Sequence, residues 1–205
     1  MIRQEQTHSS NGPEWQDSGT LQHEGLERKQ DELAEFERSS TGLRYLLPSM
    51  VTGLLATPDY IRASLIGTPG NHDKVVGRKL KRQAVLDDAS KQFTFILTEQ
   101  AVRWTCLPPT AMAMQIDRLA AVSLLPSVRL GVIPLDGRMP VAPLNTFTVY
   151  DDRIATVETS TGVMVFRARH AVAAYLAEFA VYEEYASFGS EARERLSSWR
   201  QLLAS

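Results

Sequence analysis

A single cysteine, Cys106, stands in a chain of 205 residues, so no intrachain disulfide and no cysteine-rich metal site can form. The glycines form no phosphate-cradling loop of either common kind, and His-Glu-x-x-His and the nucleophile elbow are both missing. The four histidines, at positions 8, 23, 72 and 170, are scattered without ligand spacing. No apolar run approaches the roughly 20 residues that cross a bilayer, and the first residues carry no apolar leader. There is no excess of basic charge: the formal net charge is −2 and the pI about 6.1, which argues against a chain that coats nucleic acid. These absences predict a cytoplasmic protein that is not an enzyme, with no metal, cofactor or membrane partner.

The hydrophobic share, 43%, is ample for one core. Residues 1–20 are almost free of aliphatic side chains, which predicts a disordered tail. Residues 21–205 are expected to form a single α/β domain opened by a charged helix over 21–40, with Leu26, Leu33 and Phe36 at helical spacing. "GLRYLLP" reads only as a short apolar run ended by proline. In "LPSMVTGLLATPDY", Thr57 and Pro58 form an N-cap followed by proline at the first helical position. Met50, Val51, Leu54 and Leu55 are apolar residues in a connection, expected to plug this loop into the core rather than form an exposed patch.

A helix follows with Tyr60, Ile61, Leu65 and Ile66 facing inward, and then another, "HDKVVGRKLKRQAVLDD", with Val75, Val76, Leu80, Val85 and Leu86 as its buried side. Phe93, Phe95 and Leu97 alternate through a strand, and Thr110 is the candidate N-cap of the next helix. Val128, Leu130 and Val132 mark a strand parallel to the first and next to it. "FTVYDD" and "IATVETSTGVMVF" predict antiparallel strands with turns at Asp151-Asp152 and Thr161-Gly162. Two helices broken at Gly189-Ser190 close the chain. The expected fold is α/β, or α+β, with a mixed sheet of about four to five strands packed by helices and a long C-terminal helix pair.

Charged side chains within these elements supply the candidate site. Lys74, Arg78 and Arg82 rise along one stripe of their helix, either as a solvated flank or as a site for an anion or acidic partner. Glu99 and Glu158 fall in apolar strand sequence, where a lone carboxylate is costly; Arg78, Arg82 or Arg103 are the expected buried partners. Cys106 lies among apolar residues that raise a thiol's pKa, so it is expected to be structural.

As a set, "MVTGLLATPDYIRAS", "GRKLKRQAVL", "TEQAVRW", "MQIDRLA", "SVRLGVIPL", "FTVYDD" and "ATVETSTG" resemble, in order, the C-terminal domains of unknown function of XRE-type helix-turn-helix transcriptional regulators, including the WhiJ-like and antitoxin-like ones. The resemblance spans about Asp31 to Leu203. The chain departs from the family pattern at Thr52, where that pattern has proline, and at Ala56, where it has glutamine. It implies a non-enzymatic module of transcription regulation that senses a small-molecule effector or a small protein encoded nearby, as in toxin–antitoxin-like systems. It also implies a possible homodimer. Met1 to Thr20 has neither the length nor the apolar positions of a DNA reader, so DNA is expected to be reached only through an upstream domain. The alternative is a small-molecule-processing enzyme in which Glu99 or Glu158 works with Arg78 or Arg103 in a cleft.

Overall fold

The computed structural model describes residues 14–17, 23–67, 71–137, 139–159 and 162–203. Its sheet is built outward from a strand that the sequence pattern does not mark. Gly42–Leu47 (β2) pairs in parallel with Gln92–Thr98 (β3) on one side and antiparallel with Thr146–Tyr150 (β5) on the other. β3 pairs in parallel with Val128–Ile133 (β4), as the strand-helix-strand pattern predicts. Ile154–Thr159 (β6) and Gly162–Phe166 (β7) extend the β5 side as an antiparallel meander. Glu14–Asp17 (β1) adds to β7, and Ser187–Phe188 (β8) adds to β4. Among the described residues the sheet therefore has eight strands, in the order β1-β7-β6-β5-β2-β3-β4-β8, against the four to five expected. The mixed α/β class stands.

The extra strands have physical explanations. Leu43, Tyr45, Leu46 and Leu47 are all buried because β2 is covered on both faces, so the run shows no alternation to mark it as a strand. β1 falls within the segment expected as a tail; the rest of residues 1–20 lies outside the described residues, as do Ser160 and Thr161 at the second expected turn.

Helices cover the sheet unequally. One face carries Pro58–Ser64 (α2), His72–Arg82 (α3), Pro109–Val122 (α5), Gly189–Gln201 (α7) and the C-terminal half of His23–Ser39 (α1), around a core of Tyr45, Phe93, Phe95, Leu119, Leu196 and their neighbours. A short helix, Glu99–Arg103 (α4), follows β3 directly. The other face is covered by Arg169–Tyr185 (α6), whose Val172, Phe179 and Tyr182 pack on Phe147, Val149 and Val157. The two C-terminal helices are thus not a packed pair: β8 lies between them, and the chain passes around the edge of β4 from one face to the other. Gly189 makes the pivot at φ +62°, a conformation open to glycine. Within single elements, Thr110 lies inside α5, whose cap is Pro108, because Pro109 takes the first helical position. Ile66 lies beyond the end of α2 and is exposed.

The N-terminal ends of the parallel strands are tied by charged side chains to backbone. Asp151, at φ 52° in the turn after β5, accepts hydrogen bonds at Oδ1 from the backbone N–H of Thr41 (3.0 Å) and of Gly42 (2.8 Å). Arg153 bonds Asp151 and donates to the Ser39 carbonyl at 2.7 Å. The buried Lys91 ammonium donates to the carbonyls of Arg38 (2.8 Å) and Ser40 (2.6 Å), a cation at the C-terminus of α1. Partial burial pushes the Asp151 carboxyl up. The hydrogen bonds from Gly42, Arg153 and Thr41 outweigh it and hold the carboxyl below its ordinary value. A carboxyl whose pKa is lower folded than unfolded adds stability that is complete above its unfolded value and is lost as pH falls through the folded one. Urea denaturation below about pH 4 is expected to show this loss in the wild type and a flatter profile in Asp151→Asn, which keeps the left-handed turn but carries no charge.

Candidate functional site

At the opposite, C-terminal ends of β2, β3 and β4 the sheet opens into a cavity of about 920 Å³. This is where open α/β sheets hold ligands, because successive loops diverge there. Its floor is the face of the sheet that carries α2, α3, α5 and α7: Tyr45 and Leu47 of β2, Thr146 and Thr148 of β5, and Glu158 of β6. The strand register brings these side chains together, since Tyr45 is opposite Thr148 and Thr146 is opposite Glu158. Its walls are two loops. One is the connection 48–56, and the other is the segment 134–145, which brings Leu135, Met139, Val141 and Leu144 to the rim.

The 48–56 loop is clamped by two glutamines. Gln83 Nε2 donates to the carbonyls of Gly53 and Ala56, both at 2.8 Å, and Gln83 is itself held at Oε1 by Arg118 (3.2 Å). Gln115, fully buried, donates from Nε2 to the Leu55 carbonyl (3.0 Å) and accepts from the Thr57 N–H (2.7 Å). The Tyr60 hydroxyl accepts from the Val51 N–H at 3.1 Å, and burial pushes that hydroxyl up to about 12. A connection without regular structure is thereby satisfied from inside the protein, which is what lets it carry Val51, Leu54 and Leu55 into the core. Met50, expected among these plugs, is instead 43% exposed and lines the cavity mouth. Ala56, at the position where the related pattern has glutamine, is buried and also lines the cavity.

Behind the floor lies a buried ionic group. Glu37 of α1, 1% exposed, accepts at Oε1 from Arg82 of α3 (2.8 Å) and from the Tyr45 hydroxyl (3.0 Å). Its Oε2 has no hydrogen-bond partner among the described residues. Burial pushes the Glu37 carboxyl above its ordinary value, the Arg82 guanidinium and the Tyr45 hydroxyl pull it back, and Glu158 adds a like-charge push. Arg82 and Tyr45 both line the cavity.

The expected site residues separate accordingly. Arg78 pairs with Asp31 at 3.4 Å and Arg82 with Glu37, so two members of the basic stripe face α1; Lys74 is exposed at the start of α3. Glu99 is buried and doubly satisfied, by Arg103 at 2.5 Å and by the Leu135 N–H at 3.0 Å, which also tethers the 134–145 segment. Glu158 departs from expectation: it is exposed to the cavity, and its side chain makes no ion pair or hydrogen bond among the described residues. The carboxylate that does take Arg82 is Glu37. The charged sequence of α1 hides it, yet its spacing from Leu33 and Phe36 places it on their inward stripe. Cys106 is exposed, at the rim of a second hollow of about 240 Å³. Partial desolvation there pushes its thiol above the ordinary value, as its apolar neighbours predict. Among the described residues no His, Cys, Asp and Glu group gathers to hold a metal ion, and no helix is long and apolar enough to cross a membrane.

Residues 30–198 match the domain of unknown function DUF5753. The chain belongs to this family. The matched span includes α1 from Gln30 on, both clamping glutamines and the cavity floor, and so contains the whole site of this DUF5753 domain. No curated protein matches it. Solved structures similar to it include NucT from Helicobacter pylori, at TM-score 0.49 and 9% identity over 87% of this chain and 99% of that one. Another is Nuc, a phospholipase D family member from Salmonella typhimurium, at 0.48 and 11% over 87% and 99%. Phosphatidylserine synthase from Haemophilus influenzae is similar at 0.49 and 9% over 94% and 44%. Likeness at this level carries no statement about the chemistry of this chain.

The Glu37–Arg82 pair gives a quantitative expectation. Glu37→Leu leaves a buried guanidinium without its carboxylate and is expected to lower stability by about 3–5 kcal/mol, as is Arg82→Leu. The double variant is expected to recover most of that loss. A denaturant-unfolding double-mutant cycle measures the coupling, and additive losses would show that the pair is not coupled.

Proposed function

We propose that this DUF5753 domain is the regulatory, effector-sensing module of an XRE-type transcriptional regulator and that the cavity at the C-terminal ends of β2, β3 and β4 is where the effector binds. One observation carries the reading. A cavity of about 920 Å³ is within the range of small-molecule sites, and its wall is an irregular loop held in place by glutamine side chains from two helical segments. The ordered motifs of the resemblance support it, because Gln83 of "GRKLKRQAVL" and Gln115 of "MQIDRLA" converge on the loop of "MVTGLLATPDY". These motifs therefore act together on one structural feature, the cavity wall.

The residues present favour sensing over turnover. Glu99 is neutralised by Arg103 and a backbone N–H, Arg82 is engaged by Glu37, and the Cys106 thiol is pushed away from its nucleophilic form. An enzyme built on a Glu/Arg cleft would use Glu99 or Glu158 with Arg78 or Arg103, and of these Glu99 and Arg103 meet as a closed ion pair. The effector reading keeps the chain cytoplasmic, with a small protein encoded nearby or a second copy of the chain as possible further partners.

Native mass spectrometry of the protein purified gently from its own host tests the proposal. The expected result is a retained small molecule of constant mass that is lost on denaturation and lost from a Leu47→Trp variant, whose larger side chain fills the cavity floor. A protein that never carries a small molecule, and whose melting temperature no host metabolite extract raises, counts against it.

A further inference from the structure

The chemistry of the cavity narrows what it accepts, on the reading that it is a ligand site. Its two sides differ in kind. The floor offers hydroxyls, from Thr146 and Thr148, and the carboxylate of Glu158; the rim offers Met50, Leu135, Met139 and Leu144, the last of them 85% exposed. A ligand that satisfies both sides has a polar head and an apolar body.

The sign of the head follows from which charges are already spent. Of the two cations that line it among the described residues, Arg82 is held by Glu37 at 2.8 Å, and the Lys79 side chain runs along the 48–56 loop: a Cβ added at Gly53 would come within 3.2 Å of its Cδ. Glu158 is different. Its side chain makes no ion pair or hydrogen bond among the described residues, although it projects into a partly enclosed space. Behind the floor, Glu37 Oε2 is also buried without a hydrogen-bond partner among the described residues. Among the described lining residues, Glu158 is a carboxylate that no ion pair neutralises, so a cationic head complements it.

We infer that the cavity binds an amphipathic organic amine, its ammonium held by the Glu158 carboxylate with the hydroxyls of Thr146 and Thr148, and its apolar body covered by Met50, Leu135, Met139 and Leu144. An ammonium supplies a positive charge and three donors where the floor offers only acceptors and hydroxyls. The thioethers of Met50 and Met139 adapt to bodies of different shape, so selectivity rests on the head. Glu158 is then the residue that determines specificity, and the exposed leucines at the rim are buried when the site is filled.

Dansylcadaverine, an aromatic primary amine whose fluorescence rises in apolar surroundings, and its N-acetylated analogue are the probes. The full chain is expected to bind the amine saturably and the acetylated analogue at least about tenfold more weakly, the scale of one charge-assisted contact. Glu158→Gln is expected to weaken the amine about tenfold, leaving the acetylated probe and the melting temperature unchanged, a split that a purely structural residue would not give. Met50→Ala with Leu144→Ala is expected to weaken both probes alike. Equal affinity for the two probes, or a Glu158→Gln protein that binds the amine as tightly as wild type, overturns the amine assignment while leaving a ligand cavity standing. No saturable binding of dansylcadaverine overturns it as well, and retention of a host molecule in native mass spectrometry then decides separately whether the cavity is a ligand site.

Discussion

The contact on which the rest of the site depends is the buried meeting of Glu37, Arg82 and Tyr45. It joins three elements that share no backbone hydrogen bonds: α1, α3 and the central strand β2. A buried carboxylate needs a cation and a donor close by, and both are here, so α1 is held at one height over the sheet. That height fixes where α1 ends, which Lys91 reads through the carbonyls of Arg38 and Ser40. It also sets where Leu33 closes the cavity. Ring contacts extend the same arrangement, with Phe36 tilted against Tyr150 at 5.4 Å and Tyr45 stacked on Phe95 at 4.8 Å.

The two ends of the parallel strands divide the labour. At their N-terminal ends Asp151, Arg153 and Lys91 tie loops to strands with charge-assisted hydrogen bonds to backbone. At their C-terminal ends the 48–56 loop is held by neutral glutamine amides, so the clamp itself adds no charge to the cavity wall. Charge-assisted ties hold one end of the parallel strands, and neutral amide clamps shape the hollow at the other.

Much of this was legible in the sequence, and the gaps have specific causes. The parallel pairing of β3 with β4 follows from strand, helix and strand in succession, and the meander of β5 to β7 from alternation punctuated by turns. β2 escaped because a strand covered on both faces loses its period, and "GLRYLLP" offers no polar side to read. Its absence from the expected sheet also hid the cavity floor, of which Tyr45 and Leu47 are part. Glu37 escaped because it stands among many charges, although its spacing from Leu33 and Phe36 marks it as inward. Glu158 misled in the opposite direction: apolar neighbours along β6 suggested burial, but its position opposite Thr146 lies where the helices no longer cover the sheet. Periodicity shows which side a residue faces and says nothing about what, if anything, stands over that side.

The two residues of β8 matter beyond the topology. Phe188 lies directly beside Gly131, where any Cβ would come within 2.5 Å of the ring, and the guanidinium of Arg129 stacks over the same ring at 3.8 Å. Without this cover, the backbone of Gly131 and Val132 would lie on an open edge, a template for pairing with another chain. The glycine admits the aromatic ring and the arginine stacks on it, so the two residues that carry the chain from one face to the other also cap this part of the β4 edge.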